Sequence, residues 1–228
     1  KYDYENGLPV LYLLHGAYGD AFSWVRYSNI DRYAQDRGIV VVMASAENSF
    51  YQDLRSGKKY KTFFTEELPL FIRNVFPVSR EREKTFIAGF SMGGYGAWYL
   101  ALSRPELYAK AASMSGALDI AGLYQAAAAG NNDNNPFHWE DCFGDPDKLA
   151  GSDYDLFTLY DRDVKNGCVP KLYQAVGRDD FLYPSNVYVR KLLEQKQADL
   201  TYEEDKGGHD WNFWDQYIQH ILDWMLHD

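Results

Sequence analysis

The stretch Thr85-Phe86-Ile87-Ala88-Gly89-Phe90-Ser91-Met92-Gly93-Gly94-Tyr95-Gly96 passes from an apolar segment through a glycine-flanked serine into a helix-forming one. Composition alone yields about 0.07 chance matches to G-x-S-x-G in such a chain, so the string informs mainly through its context. That context is strand, sharp turn, helix, the setting that lifts a serine out of a sheet and exposes its hydroxyl. Small residues flank Ser91 because side chains there would collide with neighbouring backbone. A free serine hydroxyl is a weak nucleophile and needs an adjacent base. The helix start that follows supplies backbone N–H groups near developing negative charge.

On either side of this turn, short apolar runs alternate with longer amphipathic stretches, the pattern of βα units around a mainly parallel sheet. Strands are expected at residues 10–14, 39–44, 85–89, 111–114, 172–176 and 201–205. Runs such as Ile39-Val40-Val41-Val42-Met43 suit strands covered on both faces. Helices are expected at 30–37, 65–76, 92–103, 186–197 and 213–225. In the last of these, Phe213, Tyr217, Ile221 and Trp224 recur at helical spacing and form a core stripe. Residues 116–170 break the rhythm with an alanine run (126–129), an Asn/Asp/Gly tract (130–135) and scattered aromatics. So long a connection needs structure of its own, and we expect a small helical insertion over one edge of the sheet. The fold class is therefore α/β, with residues 1–228 forming one domain.

The 228 residues, 46% hydrophobic and 25% charged, have an ordinary globular balance and can bury a full core without staples. A net charge of −10 repels phosphate backbones and argues against nucleic-acid binding. No apolar run reaches the roughly 18 residues that a membrane span would need. Two cysteines, Cys142 and Cys168, make neither a disulfide framework nor a zinc-like spacing; such sparse use slightly favours a cytoplasmic over a secreted setting. The chain opens at Lys1 without a charged-then-apolar leader. Exposed aromatic edges would permit a homo-oligomer.

If Ser91 is a nucleophile, its acid and base should follow it in the order Ser, Asp/Glu, His. His209, His220 and His227 lie late enough. His220 falls inside an amphipathic helix and His227 next to the chain end. His209 follows the strand at 201–205, in the loop Lys206-Gly207-Gly208-His209-Asp210-Trp211, where a base can reach the serine. The strand before it runs into Gly177-Arg178-Asp179-Asp180-Phe181, offering two adjacent aspartates. Asp180 is preferred as the acid that orients the imidazole, with Asp179 as the turn residue. Two backbone donors are needed for an oxyanion. One is Met92 N–H; the other comes from His15-Gly16-Ala17-Tyr18-Gly19, where Ala17 is the first choice and Tyr18 the second. His15 itself is read as a brace for that loop.

These residues now carry a resemblance along nearly the whole chain. Leu11-Tyr12-Leu13-Leu14-His15-Gly16, Ala88-Gly89-Phe90-Ser91-Met92-Gly93-Gly94-Tyr95-Gly96, the turn from Gly177 to Asp180-Phe181-Leu182-Tyr183, and Gly208-His209 with Trp211 and Trp214 resemble the esterase D-like family. That family includes S-formylglutathione hydrolases, feruloyl esterases, antigen 85 mycolyltransferases and bacterial tributyrin or acetyl esterases, the last branch being nearest. The resemblance implies an α/β-hydrolase fold, a triad of Ser91, Asp180 and His209, and oxyanion donors at Ala17 and Met92. It favours Asp180 because the family's acid is the fourth residue of a G-x-x-D turn. Family members usually carry two or more strands before the first one seen here, so the opening edge of the sheet is expected to be absent or trimmed.

The expected reaction is acyl transfer through an acyl-enzyme, which needs no metal or organic cofactor; the sequence has no HExxH, CxxC pair or dinucleotide G-x-G-x-x-G. The substrate is expected to be a small-molecule or carbohydrate-linked ester. Tyr18, Trp24, Trp139 and Trp211 are candidate substrate contacts, with Trp214 beside them. Phe137, His138 and Phe143 are expected to join Trp139 in walling the pocket. A short acyl group such as acetyl leads, since no long apolar flap is visible; feruloyl or acetyl groups on plant polysaccharides follow, then S-formylglutathione. Transfer to an alcohol other than water is the further alternative. A non-catalytic scaffold is disfavoured, because all three triad residue types are retained.

Overall fold

In a computed structural model, residues 6–130 and 137–227 are described; the tract at 131–135 picked out above lies outside them. The described residues form six parallel strands: β1 (Val10–Leu14), β2 (Val40–Val42), β3 (Thr85–Phe90), β4 (Lys110–Met114), β5 (Lys171–Gly177) and β6 (Leu200–Asp205). Their order across the sheet is β2-β1-β3-β4-β5-β6. Leu14 pairs with Gly89 and Phe90 with Met114, so the ends of β1, β3 and β4 lie side by side at one rim.

The continuous apolar runs are explained by what covers the sheet. Along β1, Val10, Tyr12 and Leu14 enter one core layer, while Leu11 and Leu13 enter the other. Such alternation with both faces buried is what a parallel sheet between helices requires. On one face lie α1 (Ser23–Tyr27), α2 (Ile30–Arg37) and α10 (Trp211–Leu226). Phe213, Tyr217, Ile218, Ile221, Leu222 and Met225 of α10 are buried there, each contributing on the order of 1.5–3 kcal/mol. Trp224 is only partly buried at the margin.

The opposite face carries the remaining helices. They are α3 (Tyr60–Thr62), α4 (Leu68–Val75), α5 (Met92–Ser103), α6 (Ile120–Ala129), α7 (Trp139–Phe143), α8 (Leu156–Asn166) and α9 (Tyr183–Gln195). Every residue of α5 from Met92 to Leu102 is buried. That explains why its sequence is apolar all round rather than amphipathic. Among its described residues the segment 116–170 is helical as expected. However, α8 packs on α5 and α7 meets it through Phe143 against Tyr95, so the insertion lies over the central strands β3 and β4 and not over an edge of the sheet.

Three boundaries differ from the sequence reading. The helix expected at 65–76 begins at Tyr60 and passes through a π-helical turn, Phe63–Glu67, before α4. Pro69 sits at the N-terminal start of α4 and lacks the N–H that a continuous α-helix would use, and the wide turn ahead of it absorbs the mismatch. The expected strand at 39–44 shortens to Val40–Val42 at the edge of the sheet. Helix α9 starts at Tyr183 rather than 186, with Pro184 in the first turn, a place that proline tolerates.

Candidate active site

Ser91 stands between β3 and α5 with φ 56° and ψ −121°, a left-handed conformation uncommon for a non-glycine residue. Close packing makes this turn possible. A Cβ on Gly89 would strike the backbone of Gly93. A Cβ on Gly93 would lie 2.5 Å from the His15 carbonyl oxygen and 2.9 Å from that of Leu14. The two glycines thus let the elbow and the loop after β1 touch backbone to backbone. Gly93→Ala is therefore expected to cost about 3 kcal/mol of stability, visible as a lowered urea midpoint. An unchanged midpoint would mean that the two backbones are not in contact.

His209 and Asp180 arrive at the same rim from the ends of β6 and β5. His209 Nε2 lies 2.9 Å from Ser91 Oγ, and its Nδ1 lies 3.0 and 3.1 Å from the two Asp180 oxygens. A carboxylate only accepts, so Nδ1–H donates to Asp180 and Nε2 is left to accept from the serine hydroxyl. The Asp180 side chain is fully buried. Burial alone would push its carboxyl up, but hydrogen bonds from His209, Ser115 and Leu182 N–H and the nearby imidazole outweigh that and hold it below the usual range. Asp179 points to solvent, and its N–H closes the turn on Gly207 O at 2.9 Å. His220 sits on the surface against Glu203, and His227 ends α10.

The loop after β1 is rigid for identifiable reasons. His15 Nδ1–H donates to Gly16 O at 2.7 Å, while Nε2 accepts from Ala46 N–H at 2.9 Å. Both ring nitrogens are thus committed to backbone with the imidazole neutral, and burial keeps its pKa low. Tyr51 O–H adds a bond to His15 O. Tyr18 N–H is given to Asn48 Oδ1 at 2.8 Å, which removes it as a free donor. Among the described residues, the N–H groups of Ala17 and Met92 meet no acceptor.

A sequence model of the family described as Putative esterase matches residues 1–225. The chain belongs to that esterase family. An acetyl esterase of Caldicellulosiruptor saccharolyticus is 40% identical over 98% of this chain and 85% of the relative. Among solved structures, the substrate-bound fluorophosphonate-binding serine hydrolase FphF of Staphylococcus aureus superposes with a TM-score of 0.88 at 32% identity, covering 98% of this chain and 85% of that one. The S-formylglutathione hydrolase FrmB of the same organism gives 0.86 at 31%, covering 97% and 85%. This esterase is thus a carboxylic ester hydrolase on the α/β-hydrolase fold.

Above Ser91 the esterase opens a cleft of about 610 Å³, lined by Ala17, Tyr18, Phe137, Phe181, His209 and Trp211 among others. Of the expected contacts, Tyr18 and Trp211 line it, as does Trp214. Trp24 does not. It is 1% exposed, its Nε1 donates to Leu14 O at 3.1 Å, and it packs edge-on against Phe90 and Trp211 from beneath. Trp139 is also outside the lining; it is stacked between Phe50 and Tyr124, at ring separations of 4.8 and 5.1 Å. Phe143 is buried in the same cluster and His138 faces solvent, so Phe137 alone of that group reaches the cleft.

Sequence reasoning missed Phe181, Tyr27 and Asp210, all of which line the cleft. Phe181 is 72% exposed and its ring lies 4.6 Å from that of His209. Its place directly after Asp180 was an available signal, and Asp210 likewise follows His209 directly. Tyr27 had none, because it reaches the rim only through the packing of α1 beside Trp211. Among the described residues no helix is long and apolar enough to cross a membrane.

Proposed function

We propose that this esterase hydrolyses short, uncharged acyl esters, acetyl esters foremost, through an acyl-enzyme on Ser91. The observation that carries the reading is the unbroken chain from Ser91 Oγ through His209 to a buried Asp180. His209 Nε2 takes the hydroxyl proton as Ser91 Oγ attacks the ester carbonyl carbon. The oxyanion that forms is held by Ala17 and Met92 N–H. Collapse breaks the bond to the alcohol, which leaves with the proton from His209. Water then enters, gives its proton to the same nitrogen, and releases the acid as Ser91 regains its hydrogen.

Two observations support the substrate class. The acetyl esterase relative covers almost the whole chain. Among the described residues the cleft lining carries no Lys or Arg, and Asp210 is its one acidic member. A glutathione thioester brings two carboxylates that would meet that acid and no cation, an unfavourable pairing in a partly desolvated cleft. On p-nitrophenyl acetate, butyrate and octanoate, kcat/KM should fall with chain length. S-formylglutathione should be turned over at least about a hundredfold less efficiently than the acetate. A preference for the thioester, or for octanoate, overturns this assignment.

A further inference from the structure

We infer that Asn48 is a positioning residue for the oxyanion donor: its side-chain oxygen holds the peptide between Ala17 and Tyr18 and so fixes the turn that carries Ala17 N–H. The inference rests on the acyl-enzyme reading above and extends it to a residue outside both the triad and the cleft lining.

The turn has a residue that its backbone does not suit. Gly19 N–H donates to Gly16 O at 3.2 Å, which closes a four-residue β-turn with Ala17 and Tyr18 at its centre. Tyr18 has φ 62°, close to what the third position of a type II turn requires and what glycine usually supplies. Tyrosine there carries a steric cost that glycine would not. The competing type I form keeps the closing bond, puts the third residue at negative φ and turns the central peptide over. Local sterics therefore favour the form that is not adopted. Opposing them is the hydrogen bond from Tyr18 N–H to Asn48 Oδ1 at 2.8 Å, since that N–H belongs to the central peptide itself. An N–H only donates, so the carboxamide presents its oxygen. Were the peptide to turn over, the Ala17 carbonyl would face that oxygen, acceptor against acceptor. A turn that exchanges between two forms no longer holds Ala17 in one place, and an oxyanion donor works only when it is fixed before charge develops.

Asn48 can anchor the turn because its own loop, which follows β2, is over-determined. Glu47, Phe50 and Tyr51 have φ of 48°, 52° and 61°. Such a run persists only where its surroundings fix it. Ala46 N–H donates to His15 Nε2 at 2.9 Å, Tyr51 O–H to His15 O at 2.8 Å and Ala21 N–H to Ser45 Oγ at 2.9 Å, so the two loops are laced on either side of the Asn48 contact. Phe50 and Tyr51 are buried, with Phe50 stacked on Trp139 at 4.8 Å. Within this set, the bond to Asn48 is the one that grips the central peptide of the turn.

Asn48→Ala and the nearly isosteric Asn48→Leu both remove the acceptor, the second keeping the bulk, while Asn48→Asp keeps an oxygen in place. Each is assayed on p-nitrophenyl acetate and on its thionoester, in which sulfur replaces the carbonyl oxygen. Competent sites are counted by fluorophosphonate titration run to completion. Sulfur is a weak hydrogen-bond acceptor, so the thionoester draws little on oxyanion donors. If Asn48 positions the donor, kcat/KM per titrated site should fall about thirtyfold for the ester and less than about threefold for the thionoester in the alanine and leucine variants. Their ratio then drops about tenfold, whereas a general loosening or a lost active fraction lowers both rates together. Asn48→Asp should keep the ratio within about threefold of wild type. The acid limb of the pH profile should stay in place in the alanine and leucine variants, because His209 and Asp180 keep their contacts. Ester and thionoester rates that fall together in those two variants, or do not fall, overturn the inference, as does an aspartate variant with the alanine variant's ratio. Ser91→Ala run alongside keeps the two levels apart: if it stays active, the acyl-enzyme reading itself has failed. If it is inactive while the Asn48 variants keep the wild-type ratio, only the role of Asn48 has.

Discussion

Ser91→Ala is expected to lower kcat on p-nitrophenyl acetate by about 10⁵-fold while the chain stays folded. The loss is large because, among the described residues, no other nucleophile lies on the imidazole: His209 Nε2 is 2.9 Å from Ser91 Oγ, and its other nitrogen is held by Asp180. The fold should survive because the substitution removes one oxygen and leaves the backbone contacts of the elbow intact. Those include Gly94 N–H to Ser91 O at 3.0 Å and Ser91 N–H to Met114 O at 2.9 Å. Alanine at φ 56° meets the same steric cost that serine already bears. What rate remains above the uncatalysed one should come from the Ala17 and Met92 N–H groups. Labelling by a fluorophosphonate should vanish with the activity. A variant that keeps either property would show that another residue is the nucleophile.

Asp180→Asn should reduce kcat by about 10⁴-fold with little change in KM. The effect is one of hydrogen placement. The carboxylate accepts from Leu182 N–H, and in the variant the carboxamide oxygen keeps that bond, which turns its NH₂ toward His209. At the nearer contact, 3.0 Å from Nδ1, an NH₂ group can only donate, which favours Nδ1 as acceptor and the imidazole hydrogen on Nε2, where it faces Ser91 Oγ. The base is then occupied on the side where it should receive a proton. KM should hold because Asp180 lies behind the imidazole and does not line the cleft. Steady-state kinetics over several substrate concentrations read both parameters. A rise in KM with kcat retained would place Asp180 in substrate binding.

How far the sequence carried the reading differs from residue to residue. The strand at β3, the turn at Ser91 and the full extent of α2 and α5 were legible, because each depends on neighbours close in the chain. The apolar runs of β1 and β3 betray burial on both faces, and a glycine on each side of Ser91 betrays close backbone contact. The loop at His15 was legible as a brace, though which backbone groups it binds was not. Tyr18 and Ala17 were alternatives as N–H donors until the fold brought Asn48 against Tyr18, from 30 residues away.

The tryptophans mark the limit most clearly. Trp24, Trp211 and Trp214 all stand near the loops of the candidate site in the chain, and aromatic residues serve equally well as core and as cleft wall. Only the packing of α1 and α10 on the sheet turns Trp24 inward to Leu14 O and leaves Trp211 and Trp214 at the cleft. Trp139 is withdrawn in the same way, by stacking between Phe50 and Tyr124, residues far from it in sequence.

By itself, then, the sequence determined the alternation of strands and helices, the serine elbow and the residue types that could serve it, since these follow from local sterics and short-range periodicity. Tertiary structure decided which of those residues meet. His209 and Asp180 are 29 residues apart, Ser115 and Trp214 are 99 apart, and all four share one rim. The reason is that parallel strands end side by side whatever lengths of chain connect them. Hydrogen bonds across that rim are set by sheet order and register, which no local pattern encodes.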